Sequence, residues 1–317
     1  GANVVLPIGL LADGATLHHS NGTPIDVDLT SDTTALAEAI GANSDAVLDA
    51  RNMGESSVWW AQTFELVSQR LGIDMKKQTI SIHPRVATTI GGIATDEHGR
   101  AITGRWSRWF TGLYAAGDSA CSGLHGAGLI AGNRLLDAMA GGAAAGEHAA
   151  AHAAKASHTG RAALETALGA AEADLDFDMA AAEEGPVQRT GPLFAKLGDI
   201  MQSSMGLTRG AEGLESALES LESLADSAGK LHLDDSSRLF NTNLLEALRL
   251  KAGVRLAIAS VRSALSRTES RGTHQRTDFS EQDDEQLHHT LVDVEGNLST
   301  LAIRKGVSGT WVLTPDA

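Results

Sequence analysis

Of 317 residues only one, Cys121, is a cysteine, so no internal disulfide can form and a reducing cytoplasm is the expected compartment. Long apolar runs are missing as well: none approaches the roughly 20 residues that cross a bilayer, and the N-terminus lacks the charged, apolar and small-residue order of a secretory signal. Direct membrane insertion is therefore not expected. Basic charge is scarce, 25 Lys and Arg against 40 Asp and Glu for a formal −15. That balance argues against nucleic acid as a partner, because phosphate backbones are bound by clustered cations. It also suits a high-salt interior, although a merely acidic protein reads the same. The length is that of two domains with a sizeable core.

The most informative stretch is residues 110–144, FTGLYAAGDSACSGLHGAGLIAGNRLLDAMAGGAA. Leu113, Tyr114 and Ala115 read as a short buried strand, Gly117 as a tight turn, and Asp118 as a carboxylate placed to hold a sugar or ribityl hydroxyl. Gly126, Gly128 and Gly132 then let the main chain approach a flat or phosphorylated ligand, ahead of a helix whose N-terminal amides can donate to it. Glycine spacing alone fits a plain turn between strand and helix equally well.

Alanine favours helix, so residues 137–154 continue that helix. His148, His152 and His158 come next at spacings of four and six; with no third ligand evident they read as a solvated face, and no metal is expected. Upstream, 33–40 reads as a helix behind Ser31 and Asp32, 46–49 as a strand, and 57–71 as a helix whose Trp59, Trp60 and Phe64 are core. From residue 191 the pattern is helical. Leu214, Ala217, Leu218, Leu221 and Leu224 mark one apolar stripe, and Leu250, Val254, Ala257, Val261 and Leu265 another, with 241–243 interrupting them. Residues 193–205 add a third helix, and 310–313 read as a short terminal strand.

The 110–144 stretch resembles the C-terminal flavin-binding motif of the succinate dehydrogenase and fumarate reductase flavoprotein family, which carries GLYAAGE and then HGANRLGxNSLLD at this spacing. Residues 90–100, IGGIATDEHGR, resemble the family's MGGIxTD hairpin, and 267–291, RTESRGTHQRTDFSEQDDEQLHHTL, its ESRGxHxRxDF and DD segment. The resemblance implies an α/β plus α fold. Residues 1–14 and 78–150 would form the C-terminal part of a Rossmann-like FAD-binding domain, with an α+β capping domain inserted at 15–77. An Ala-rich helical connection at 151–190, a three-helix bundle at 191–306 and a tail at 307–317 would complete the chain. It further implies FAD as cofactor, an FAD-dependent oxidoreductase activity, and an iron-sulfur subunit as partner that would bring the chain to the inner face of a membrane. The family's opening G-x-G-x-x-G turn and its HPTG segment do not occur, and residues 1–22 resemble the family segment directly after HPTG. A separate N-terminal flavoprotein half is one expectation from that pattern, a longer gene product another.

In the family a Thr-Glu pair, two arginines and a histidine hold the dicarboxylate and move the proton. On this sequence the Thr-Glu pair falls on Pro7 and Ile8, the cap arginine on Ser31 or Asp32, the histidine on Ala87 and the clamping arginine on Leu129. None of these can clamp a dicarboxylate as a cation does, and a carboxylate left unpaired in a desolvated pocket costs several kcal/mol. Arg85 and Arg134 lie near vacated places, but an odd shift along a strand faces the other way. The flavin side matches better. Gly91, Gly92, Gly117, Asp118, His125, Gly126, Arg134 and Leu135 fall on family positions that hold the cofactor, with Asp118 replacing a glutamate and Arg134 a serine. Arg134 is expected either as a cation near the N1 and O2 edge of the flavin or as a solvated side chain. Arg267, Glu269, Arg271, His274, Arg276 and Asp278 form a charge-dense turn, expected to tie the bundle to the flavin domain or to face the iron-sulfur partner. The other readings are a non-catalytic assembly subunit and a relative such as L-aspartate oxidase, against which the RxDF and DD segment speaks.

Overall fold

A computed structural model describes residues 4–27, 33–86, 88–103, 108–129, 132–175, 188–235, 237–305 and 311–313. By contact the chain separates into two compact units, residues 1–87 and 88–317.

The first unit is built on a three-stranded antiparallel sheet, β1 (Thr16–His19), β2 (Ala46–Asp49) and β3 (Ile80–Ser81), in which Leu17 and Ile80 both lie opposite Leu48. Helices α1 (Gly9–Ala12), α2 (Thr33–Gly41) and α3 (Ala61–Leu71) supply the rest of its core: Leu10, Leu36, Phe64 and Val67 are buried with Leu17, Leu48, Met75 and Ile80. Sequence pattern grouped 1–14 and 78–87 with the flavin domain; packing seats Leu10 and Ile80 here, because one sheet face needs both to be closed. The helix expected from residue 57 begins only at Ala61, after a short 3₁₀ turn at Gly54–Val58, since Trp60 takes a non-helical φ of −94° and ψ of 14°. That break sets the aromatic residues apart. Phe64 is core and Trp60 packs beside it, its Nε1 donating to Asp13 at 2.7 Å, but Trp59 is 82% exposed and is no core residue. Gly72, with φ of +70°, closes α3 in the left-handed cap that glycine adopts without strain.

The second unit opens with β4 (Ile93–Ala94), β5 (Arg100–Thr103), β6 (Arg108–Tyr114) and β7 (Ala120–Cys121); β4 pairs parallel with β7, and β5 antiparallel with β6 across a bulge. Asp96 organises the 95–100 turn by accepting from the amides of His98 (3.0 Å) and Arg100 (2.8 Å) and from the Arg100 guanidinium. The strand expected to be buried at 113–115 is only partly so. Ala115 is buried, but Leu113 is 38% and Phe110 56% exposed, because β6 finds a partner on one side only among the described residues. Helix α4 (Asn133–Ala153) comes next, opening behind the glycine loop and running on through the Ala-rich stretch from 137, and α5 (Arg161–Asp174) continues that stretch.

Helices α6 (Thr190–Ser204), α7 (Ala211–Gly229) and α8 (Thr242–Ser266) pack around one core. Leu214, Ala217, Leu221 and Leu224 of α7 meet Leu250, Val254, Ala257 and Val261 of α8 there, while Leu218 and Leu265 sit at its edge. Asn241, at the interruption between the stripes, is the N-cap of α8: its Oδ1 accepts from the Leu244 amide at 2.9 Å. Strands β8 (Thr208–Arg209) and β9 (Gln275–Arg276) form a short parallel pair, and β10 (His288–Val292), β11 (Leu298–Lys305) and β12 (Trp311–Leu313) an antiparallel sheet.

Candidate functional site

The glycine-rich segment between β6 and α4 is the most elaborate turn of the second unit. Gly117 (φ +60°) has its Cα pressed on α4, since a Cβ there would lie 3.1 Å from that of Ala138. Gly92, on the other arm, has φ of +147° and no room for a side chain: a Cβ would stand 2.5 Å from the Ser119 carbonyl oxygen. Sequence-distant glycines are thereby pressed against one turn. Gly91, Gly126, Gly128 and Gly132 border open space instead, the first, second and fourth with positive φ. Helix α4 begins behind Gly132, which as N-cap has no side chain to cap the first-turn amides, and among the described residues no side chain takes that place.

Asp118 and Arg134 are joined. The Arg134 Nε lies 2.8 Å from both Asp118 oxygens, and its Nη2 adds a shorter contact. An arginine in the first turn of a helix opposes the helix dipole, and the Asp118 carboxylate answers that charge. In turn the guanidinium holds the Asp118 carboxyl below its usual range. Arg134 is thus neither free in solvent nor independent of the acid beside it. His125 is tied to α4 as well, its Nε2 lying 3.1 Å from Asp137 Oδ2. Leu135 is 69% exposed.

The dicarboxylate positions are divided between the two units. Pro7 and Ile8 lie in the first unit, both exposed, ahead of α1; Leu129 lies in the second, partly buried; Ser31, with Asp32, and Ala87 fall outside the described residues. Arg85 is exposed in the first unit. His148 is no solvated residue: its Nδ1 lies 3.0 Å from the Tyr114 hydroxyl and its ring stacks on His98 at 4.9 Å between centroids. The i, i+4 spacing to His152 was the only sequence sign of that cluster. Among the described residues no group of three or more His, Cys, Asp or Glu is placed to hold a metal.

The charge-dense turn after α8 is an ordered network. The Glu269 side chain is wholly buried, accepting from Arg267, from Arg271 Nε (3.1 Å) and Nη2 (3.0 Å), and from the Asp283 amide at 2.9 Å. Burial alone would raise this carboxyl; the two guanidinium groups and the amide outweigh burial and bring it down to about 2. Arg276, also buried, donates to the carbonyls of Ala264, Leu265 and Arg267 and so caps the C-terminus of α8. Its other nitrogens hold Asp278, whose Oδ2 accepts the Ala211 amide at the start of α7. Burial, with the charge of Arg209 nearby, pushes the His274 imidazole down to about 4, so it stays neutral at pH 7. At the tip of the turn, the Thr273 amide and hydroxyl both reach the Ala127 carbonyl at 2.8 Å, a contact that sequence reading missed.

Residues 24–135 match the model of an FAD binding domain, and residues 194–312 that of the fumarate reductase flavoprotein C-terminal region. An FAD flavoprotein is therefore the class that the cradle and the helices behind it define, and FAD is its cofactor. Among relatives, the fumarate reductase flavoprotein subunit of Mycobacterium tuberculosis is 33% identical over 256 residues, covering 79% of this chain and 42% of that protein. The corresponding subunit of Escherichia coli is 32% identical over 78% of this chain and 41% of its own length. A solved E. coli quinol fumarate reductase chain superposes with a TM-score of 0.80 at 24% identity, covering all of this chain and 57% of that one, which speaks to fold. The chain belongs to the succinate dehydrogenase and fumarate reductase flavoprotein family, and it spans about two fifths of the length of these relatives. No helix among the described residues is long and apolar enough to cross a membrane.

Proposed function

We propose that the chain is the C-terminal portion of a flavoprotein subunit that passes electrons between a small carboxylate substrate and an iron-sulfur partner, with the usual dicarboxylate residues replaced. The observation that carries this reading is the cradle itself: Gly92 pressed on Ser119, open space at Gly91, Gly126 and Gly128, and an uncapped α4 behind Gly132. FAD fits that surface. Gly91, Gly92, Gly117, His125, Gly126 and Leu135 would border it, and Asp118 would take a ribityl hydroxyl once Arg134 turns aside. When bound, FAD supplies two-electron hydride chemistry. The chain's own part is to exclude water with the glycine main chain and to bring the Arg134 cation near the ring.

In this reading residues 78–150 contribute to the FAD-binding domain, 15–77 to the capping domain and 191–306 to the helical domain, joined through 151–190 and ended by the 307–317 tail. Residues 1–14 and 78–87, given to the FAD-binding domain by pattern, pack in the first unit. An N-terminal half would bring the pyrophosphate grip, and partner subunits would hold the assembly at the inner face of a membrane. Because the pyrophosphate turn is missing from the 317 residues, the chain by itself should bind FAD weakly or not at all in a fluorescence-quenching titration. A yellow protein purified with one equivalent of FAD would overturn this. A non-catalytic assembly subunit is the second reading, favoured by the lack of any side-chain donor at Pro7, Ile8 and Leu129. Dye-linked turnover of succinate or fumarate by the chain reconstituted with a relative's N-terminal half decides between the two.

A further inference from the structure

We infer that Thr273 is a positioning residue for the glycine loop at 125–129, holding that loop in place from the far end of the chain. The inference rests on the flavin reading of the cradle only in its ligand arm. Two donors from one residue, the Thr273 amide and its Oγ1, converge on the Ala127 carbonyl at 2.8 Å each, across 146 residues of sequence. The neighbour of Thr273 is fitted to the same contact: Gly272 has φ of +54°, and a Cβ there would stand 2.5 Å from the Ala127 oxygen. Thr273 lies at the tip of a turn whose base is fixed on every side. Arg271 and Arg267 hold Glu269, Arg276 caps α8, Asp278 meets the first amide of α7, and the Arg271 amide donates to the His274 carbonyl at 2.8 Å. Arg209 from β8 donates to the Thr273 carbonyl at 3.1 Å, so the tip is braced as well. A rigid turn that ends in two convergent donors imposes its position on the segment it grips. That segment is a loop with Gly126 and Gly128 on either side of Ala127, and among the described residues it has two backbone hydrogen bonds of its own, Gly126 N–H to Gly123 and Gly128 N–H to His125. Since Leu129 and His125 flank Ala127, the clamp sets where both side chains stand relative to the start of α4.

The test uses the full chain and three variants, Thr273→Val, which keeps shape and amide but removes the hydroxyl, Thr273→Ser, which restores it, and Gly272→Ala, which drives a methyl into the Ala127 carbonyl. Hydrogen exchange is read at the Gly126 and Gly128 amides, with α8 amides and the thermal midpoint as controls. Thr273→Val should speed loop exchange by roughly tenfold, Thr273→Ser should return it to within about twofold, and Gly272→Ala should exceed Thr273→Val, all with α8 protection unchanged. Unchanged loop exchange in Thr273→Val, or an equal loss of protection in α8 and loop, overturns the assignment. In the ligand arm FMN, which lacks the adenosine part, is titrated by fluorescence quenching; Thr273→Val should weaken it about tenfold and Thr273→Ser not. If the unaltered chain takes up no FMN, an outcome the missing pyrophosphate turn allows, the exchange result alone decides for or against Thr273. Equal FMN affinity in Thr273→Val and the unaltered chain counts against the positioning role.

Discussion

Replacing Glu269 by glutamine changes one atom at the buried centre of the charged turn. Its two oxygens accept from Arg267, from two nitrogens of Arg271 and from the Asp283 amide, with no exposure to solvent. An amide NH₂ cannot accept, so in Glu269→Gln a guanidinium or the Asp283 amide faces another donor, and two partly buried guanidinium groups lose their shared countercharge, Arg271 keeping Asp284 at 3.4 Å. Breaking a buried, hydrogen-bonded pair costs about 3 to 5 kcal/mol. For a unit of this size each kcal/mol moves the midpoint by roughly 2 to 4 °C, so the transition of the second unit should fall by on the order of 10 °C at pH 7. Calorimetry at several pH values adds a sharper check. The folded carboxyl is held near 2 against an ordinary 4.5, so its stabilisation is complete above 4.5 and disappears as pH falls through that window. Glutamine does not titrate, and the gap between parent and variant should close as pH falls from 4.5 toward 2. A shift under about 2 °C at pH 7, or a gap that stays constant down to acid, would refute the network as a source of stability.

Arg271→Ala should cost less than Glu269→Gln, about 2 to 3 kcal/mol by chemical denaturation, because Arg267 and the Asp283 amide still hold the acid. His274 is neutral in the fold and its proton affinity is depressed from 6.5 to about 4, so the unfolded chain alone gains a proton as pH falls between those values. Stability should therefore drop by on the order of 2 kcal/mol, discounted for partial exposure, and urea titrations of His274→Gln should show a flatter decline. Leu129→Arg should give no succinate-dependent dye reduction and lower stability by about 1 kcal/mol; measurable reduction would mean the pocket is polar in ways these residues do not provide. Trp59→Ser should melt within about 0.5 kcal/mol of the parent, whereas Trp60→Ala, losing core packing and the Asp13 bond, should cost about 2 kcal/mol.

Periodicity made the helices legible. The stripes at 214–224 and 250–265 became core almost residue for residue, because one buried face at helical spacing has few other solutions. Strand 46–49 was equally readable, from the short apolar run of Ala46, Val47 and Leu48; residues 241–243 read only as an interruption between the stripes, and the role of Asn241 as the α8 N-cap shows in the fold. The failures depended on neighbours. Nothing local in WWAQTF says that Trp59 points to water and Trp60 to Asp13, since the 3₁₀ turn ahead of α3 sets that rotation. The apolar spelling of β6 suggests burial, yet burial is decided by what lies beside a strand. By sequence the charged turn is expected to tie the bundle to the flavin domain or to face the partner; what composition does not show is the full burial of Glu269, on which Arg267 and Arg271, two residues to either side, and the Asp283 amide converge. The glycine-rich HGAG segment and the ESRGTH turn read as separate segments, and their meeting through Ala127 and Thr273 is a property of the fold alone.

The Thr273 to Ala127 clamp has a consequence for the order in which the chain can mature. A ribosome releases residues 117–135 long before residue 273 emerges, so the glycine loop is synthesised without the group that fixes it. Until the turn beyond α8 is made and its arginines find Glu269, the loop at 125–129 lacks the Thr273 clamp and keeps, among the described residues, its own two hydrogen bonds. Its final setting is then among the last events of folding, and a chain ended after α8 would keep the Leu214 and Leu250 core but leave the cradle unset.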